Sequence, residues 1–74
     1  MNEILLSSLL SLIKNERDIK IRIYDENELL LIKFYLSGFR QLKADLLSRT
    51  VKEIYTTSVE DVDIILNASE NWFF

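Results

Sequence analysis

The stretch Asp18–Leu36, DIKIRIYDENELLLIKFYL, constrains the fold of this chain most strongly. Isoleucine occupies every second position of Ile19–Ile23, the period of two that is typical of a strand with one buried face. After the polar cluster Asp25–Glu28, a second run, Leu29–Leu36, has apolar residues on both faces. The stretch predicts a β-hairpin with a loop of about four residues. Because strands that are apolar on both faces usually lie inside a sheet, we expect the second strand to be central.

The segments on either side of the hairpin predict helices. Asn2–Asn15 places leucine and isoleucine at helical spacing and predicts an amphipathic helix with Asn2 as its N-cap. Gly38 is the only glycine of the chain, and we expect the backbone to leave the second strand there with a positive φ. Gln41–Ser48 then predicts a second, short helix that buries leucines.

Residues 51–57 are compatible with two structures. Val51, Ile54 and Tyr55 keep helical spacing, so the second helix can continue through them. The segment is nevertheless mostly β-branched or aromatic, which favours a third strand, Val51–Thr57. After a polar turn, the alternation in Val62–Leu66 predicts a fourth strand.

These elements predict a single domain, residues 1–74, of the α+β class. Its expected architecture is an antiparallel four-stranded sheet with two helices packed on one face, in the order α-β-β-α-β-β. Residues 67–74 are expected to form a C-terminal aromatic tail that ends in Trp72, Phe73 and Phe74.

The composition argues against most catalytic chemistry. With no histidine and no cysteine, the chain lacks the common general base at neutral pH, the thiol nucleophile and the preferred ligands of zinc. One glycine is too few for a Gly-rich phosphate cradle. The acidic clusters Asp25–Glu28 and Glu60–Asp63 have the pattern of solvated turns rather than of a catalytic pair or a calcium loop. We therefore predict a protein that is not an enzyme and that uses no cofactor or metal.

The apolar segments predict where in the cell the protein is located. The longest of them, Ile4–Ile13, is far shorter than the ~20 residues that a membrane span needs, and no basic n-region precedes it. Together with the absence of cysteine, this predicts a cytoplasmic protein that does not bind a membrane.

Charge is unevenly distributed along the chain. The first 52 residues carry nine basic and seven acidic side chains, whereas the last 22 carry five acidic side chains and no basic one. These five acids are Glu53, Glu60, Asp61, Asp63 and Glu70. An acidic third of the chain repels phosphate and attracts a basic protein surface, so we expect a protein partner and no direct binding of nucleic acid. The alternative is that these acids are simply a solvated rim.

The chain also has more apolar residues than one small core obviously needs. Candidates for a partner-binding surface are Leu29, Leu31 and Tyr35 on the second strand and Trp72, Phe73 and Phe74 in the tail. They either pack within the chain or bind a partner or a second copy.

Three segments, KIRIYDENELLL, LLSRTVKEIY and DVDIIL, resemble a class of small proteins carried by phages and prophages of Gram-positive bacteria. Ile21–Asn27, Leu46–Ile54 and Asp61–Leu66 carry the resemblance, and the chain departs from the pattern by lacking a proline before the second helix and by its aromatic tail. The class has no general activity to transfer. The resemblance implies a phage origin, and small acidic phage proteins are often inhibitors of host machinery, as anti-CRISPR proteins are.

The resulting functional hypothesis is a phage-borne inhibitor that occupies a basic nucleic-acid-binding surface of a host enzyme. The alternative hypothesis is a small structural or regulatory homodimer that associates through its open sheet face and its aromatic tail.

Overall fold

A computed structural model of the chain describes residues 3–13 and 18–68. In chain order its elements are helix α1 (Leu6–Leu12), strands β1 (Lys20–Tyr24) and β2 (Leu30–Tyr35), a 3-10 helix (Leu36–Gln41), helix α2 (Ala44–Leu47) and strands β3 (Val51–Ser58) and β4 (Asp61–Leu66). The α+β class and the four strands are confirmed, and the ambiguous segment 51–57 is strand. None of the helices in the described ranges is long and apolar enough to cross a membrane.

The prediction of a wholly antiparallel sheet is wrong. The strand order is β2-β1-β4-β3, and the two inner strands, β1 and β4, are parallel, whereas each outer strand pairs antiparallel with its neighbour. Two hairpins are therefore joined through their most buried strands. Ile21 and Ile23 of β1 and Ile64 and Leu66 of β4 have no exposed surface, so the order that places β1 beside β4 gathers the most apolar strands in the centre.

The expectation that β2 is central is also wrong. It is an edge strand, and its first residues Leu30 and Leu31 are 51% and 45% exposed. The presence of apolar residues on both faces of β2 therefore does not mean that both faces are buried. They leave apolar surface in contact with solvent.

The chain leaves β2 through the 3-10 helix, a third helix that the sequence pattern did not predict. Gly38 lies inside this helix and has no positive φ. Among the described residues other than glycine, the left-handed conformation occurs at Glu28, with φ 64°, in the loop between β1 and β2. The expectation of a positive φ at Gly38 is therefore wrong.

Helix α1 is shorter than predicted because the chain before it is extended. The amide of Leu6 donates to the carbonyl of Arg49 (2.8 Å), and the amide of Val51 donates to the carbonyl of Ile4 (2.8 Å). These hydrogen bonds place Ile4 and Leu5 alongside the start of β3. The helix consequently begins at Leu6, with Leu5 at its N-cap position, and the predicted N-cap Asn2 lies outside the described residues.

The core lies on one side of the sheet. Its buried residues are Leu6, Leu10, Ile19, Ile21, Ile23, Ile64 and Leu66. Partly buried side chains from all three helices, among them Leu9, Phe39 and Leu46, pack against this same cluster. The helical layer therefore covers one face of the sheet, as predicted, and the described helices leave the opposite face uncovered.

Candidate functional site

The uncovered side of the sheet, called here the open face, is defined by three rows of residues that cross the four strands in the order β2, β1, β4, β3. The first row is Tyr35, Lys20, Asp61 and Ser58; the second is Lys33, Arg22, Asp63 and Tyr55; the third is Leu30, Tyr24, Ile65 and Glu53. Each row follows from the strand registers, because residues that pair across a ladder project from the same side of the sheet. Leu31 lies beside Leu30 at an irregularity in the β1–β2 pairing.

The open face is divided by charge. Lys20, Arg22 and Lys33 lie on β1 and β2 and form the basic half, whereas Glu53, Asp61 and Asp63 lie on β3 and β4 and form the acidic half. The sequence indicates an excess of acid in the last third of the chain. Because β4 pairs with β1, the acidic strands β3 and β4 lie beside the basic strands β1 and β2 in one sheet, and the open face has two oppositely charged halves.

An ion pair crosses the boundary between the two halves. The Nε of Arg22 donates to the Oδ1 of Asp63 at 2.6 Å, and its Nη2 donates to the Oγ1 of Thr57 at 3.2 Å. The hydrogen bond to Asp63 raises the pKa of Arg22 further above its ordinary value, so its guanidinium stays charged. Asp63 therefore has its charge already matched within the chain, which distinguishes it from a carboxylate presented freely to a basic partner.

One end of the open face is concave, and its apolar side chains lie beside two acidic ones. Tyr24, Tyr55 and Ile65, together with Glu28 and Asp63, line a depression of about 230 Å³. Ile65 is only 5% exposed, yet it does not belong to the core cluster on the other side of the sheet. The depression is smaller than the roughly 300–1,000 Å³ of most small-molecule pockets. It has the size to receive a single protruding side chain.

The ring of Tyr55 is held at the edge of this depression. Its hydroxyl donates to the Oε2 of Glu53 at 2.9 Å. This hydrogen bond, the partial removal of the hydroxyl from water and the negative charges of Glu53 and Glu28 together raise the pKa of Tyr55. The phenol therefore remains a protonated donor, and the ring is a positioned aromatic surface of the kind found at protein interfaces.

The loop between β1 and β2 is built by one of the predicted turn acids. The Oδ1 of Asp25 accepts from the amides of Asn27 (2.8 Å) and Leu29 (2.9 Å). This side-chain capping of the turn brings Glu28 to the rim of the depression and leaves Leu29 64% exposed. Arg49 links this loop to the end of β4, because its Nη2 donates to the carbonyl of Asn67 (2.7 Å) and lies 3.4 Å from the Oε1 of Glu26 in the turn.

The predicted partner-binding residues divide into three groups. Glu53, Asp61 and Asp63 lie on the open face, and Glu60 lies in the turn before β4. Leu31 and Tyr35 lie on β2, at the other edge of the sheet, and Leu29 lies in the loop before it. Glu70, Trp72, Phe73 and Phe74 lie outside the described residues.

Sequence reasoning missed Ile65 and Tyr55 as parts of one surface. The signal for Ile65 is the uninterrupted run Ile64–Leu66, which places apolar residues on both faces of β4. Tyr55 meets Tyr24 only through β4, which lies between their strands, so no local pattern brings the two rings together.

Comparison with protein families, curated proteins and solved structures finds no match to this chain. Within residues 3–13 and 18–68, no cluster of three or more acidic side chains has the arrangement needed to hold a metal ion.

Proposed function

We propose that the chain is a protein-binding module and that the open face is its binding surface. The observation that carries this proposal is that, within the described residues, helices cover one face of the sheet, and Leu30, Leu31 and Tyr55 are 45–51% exposed at one end of the other face. Apolar side chains clustered on one surface of a small domain mark interaction sites more often than chance exposure does. The two tyrosines at the depression supply rigid aromatic contacts, which dominate binding energy at interfaces.

Binding is favoured over catalysis by the state of the carboxylates on this face. Asp63 pairs with Arg22, Asp61 accepts from the hydroxyl of Ser58 (2.7 Å), and Glu53 accepts from the hydroxyl of Tyr55. A catalytic pair of carboxylates needs two groups placed toward a shared substrate position, one of them in an apolar environment. The described carboxylates on this face instead hold their own neighbours in position.

A more specific proposal is a phage-borne inhibitor of the anti-CRISPR type that occupies a basic nucleic-acid-binding surface. The acidic half supports it, because Glu53, Asp61 and Asp63 lie together on two adjacent strands. The basic half beside them works against it, because Lys20, Arg22 and Lys33 would meet the same basic partner. The inhibitor hypothesis therefore requires a partner that engages the β3–β4 side of the sheet alone.

Affinity capture from cells that carry the gene tests the binding module. Tyr55→Arg places a charge at the apolar end and should reduce capture of a specific partner by about tenfold or more. Leu12→Arg is the matched control, because Leu12 is 70% exposed on α1 in the helical layer, and it should capture as wild type does. Circular dichroism verifies that both variants are folded. Equal capture by Tyr55→Arg and Leu12→Arg contradicts the proposal.

The same capture decides the inhibitor hypothesis. It predicts a partner that is a nucleic-acid enzyme and that is lost when Glu53→Gln and Asp61→Asn are combined, because these changes remove negative charge and leave the Arg22–Asp63 pair intact. A partner that binds this double variant as well as wild type rules out the electrostatic part of the hypothesis.

A further inference from the structure

We infer that the occupant of the open face is a second copy of this chain, packed face to face. The two copies are related by a twofold axis that lies in the plane between their sheets, parallel to the strands and above the boundary between β1 and β4. This inference rests on the proposed function and names the partner. Two facing sheets pack about 10 Å apart with their strands within about 30° of each other, which such an axis permits.

Charge is the first argument for this arrangement. Rotation about an axis parallel to the strands lays β1 and β2 of one copy over β4 and β3 of the other. The basic half of each copy then faces the acidic half of its neighbour. In the first row, Lys20 of one copy faces Asp61 of the second copy, and symmetry forms this contact twice.

The same axis passes between Arg22 and Asp63, which are already paired within each copy at 2.6 Å. Each guanidinium then also meets Asp63 of the second copy. Two ion pairs stacked in opposite directions form a closed network of alternating charge, so burying them leaves no charge without a partner.

The apolar end provides the second argument. An axis parallel to the strands keeps each row opposite the same row, so in the third row Tyr24 of one copy faces Ile65 of the other, at the depression, and Leu30 faces Glu53. The other axis in the plane of the interface runs across the strands. It would lay β1 over β1, so that basic residues oppose basic residues, and it would place the charged first row on the apolar third row. Only the first arrangement places Lys20 opposite Asp61 and Tyr24 opposite Ile65.

The dimensions of the face set the strength of the dimer. Four strands about 4.8 Å apart and six residues about 3.3 Å apart give a flat area of roughly 400 Å² per copy, or about 800 Å² for the pair before side-chain relief is added. Stable interfaces bury about 1,200–2,000 Å². We therefore expect a reversible dimer that forms at high protein concentration.

Exchange of charges between two variants of the full chain tests this inference. Lys20→Glu places a carboxylate opposite Asp61 of the second copy, and Asp61→Lys places an ammonium opposite Lys20. Each variant alone changes two attractive contacts per dimer into repulsive ones and should dimerise about tenfold more weakly than wild type. Mixed in equal amounts, the two variants restore opposite charges across the interface and should form a heterodimer.

Sedimentation equilibrium up to roughly 1 mM protein measures the association, a range that detects even millimolar dissociation constants. Lys43→Glu and Asp45→Lys are matched controls, because they make the same two charge changes at exposed positions at the start of α2, in the helical layer. Both controls should dimerise as wild type does, and circular dichroism establishes that every variant is folded.

A wild-type chain that stays monomeric over this range overturns the inference. So does a dimer that is insensitive to both Lys20→Glu and Asp61→Lys, or a pair of weakened variants whose mixture does not associate. If the chain is monomeric while Tyr55→Arg still abolishes capture of another protein, the open face is a binding surface and only its occupant was wrongly inferred. If Tyr55→Arg has no effect on capture either, the proposed function fails as well.

Discussion

Ile64 and Ile65 are neighbours in β4 and are 0% and 5% exposed, but they lie on opposite faces of the sheet. Ile64 belongs to the core beneath the helices, whereas Ile65 lies under the depression between Tyr24 and Tyr55. Replacing each with alanine makes the same chemical change in the same strand. The two losses in the free energy of unfolding therefore show how well each face of the sheet is covered.

The expected costs differ because only one substitution leaves an enclosed cavity. Each change removes three carbon atoms, which is about 2.4 kcal/mol of transfer free energy. For Ile64 the cavity adds to this, so Ile64→Ala should lower the free energy of unfolding by about 3–4 kcal/mol. Water can fill the space that Ile65→Ala opens below the depression, so its cost should stay near the transfer free energy alone, at about 2 kcal/mol. A domain of 74 residues has about 4–11 kcal/mol in total, so both variants can still fold.

Urea unfolding followed by circular dichroism measures both costs, and it should be run at micromolar protein so that association does not contribute. Costs for the two variants that agree within about 0.5 kcal/mol refute the reasoning, because Ile65 would then be as fully covered as Ile64. Equal costs that appear only at high protein concentration indicate instead that a second copy provides the cover.

Two further predictions concern titrating groups. The Oδ atoms of Asp18 accept from the hydroxyl (2.7 Å) and the amide (3.0 Å) of Ser37, and these hydrogen bonds lower the pKa of Asp18. The ionised carboxylate therefore stabilises the fold fully above the unfolded pKa, and this stabilisation is lost as pH falls through the folded pKa. Asp18→Asn should therefore flatten the loss of stability below about pH 4 relative to wild type in urea unfolding, and an unchanged pH dependence contradicts the role assigned to Ser37. Glu53→Gln should lower the raised pKa of Tyr55 toward its ordinary value, as followed by NMR titration of the ring, and an unchanged titration contradicts the assigned cause.

The strands could be predicted because their signal is local. The alternation in Ile19–Ile23 and in Val62–Leu66 specifies extended backbone with one buried face, whichever strand lies alongside. The β-branched residues of 51–57 likewise favoured strand over helix, and β3 confirms it. The capacity of Asp25–Glu28 to form a turn was also visible, since Asp25 caps its own loop.

The edge position of β2 and the 3-10 helix were not predictable in the same way. Leu29–Leu31 has the composition of a buried strand, but the free energy of a sheet depends on which strands are adjacent, and β1 and β4 bury more. Gly38 permits a positive φ without requiring one, so its presence did not locate the sharp turn.

By itself, the sequence determined the α+β class, the four strands, the absence of histidine and cysteine chemistry and the excess of acid after Lys52. These properties follow from residue type and short-range period, which need no knowledge of long-range contacts. Only the tertiary structure decided that β1 and β4 are parallel neighbours. That pairing sets the basic half against the acidic half, joins Arg22 to Asp63 and places Tyr24 and Tyr55 on either side of Ile65. Side chains far apart in sequence become one surface only when burial of the apolar strands fixes their order.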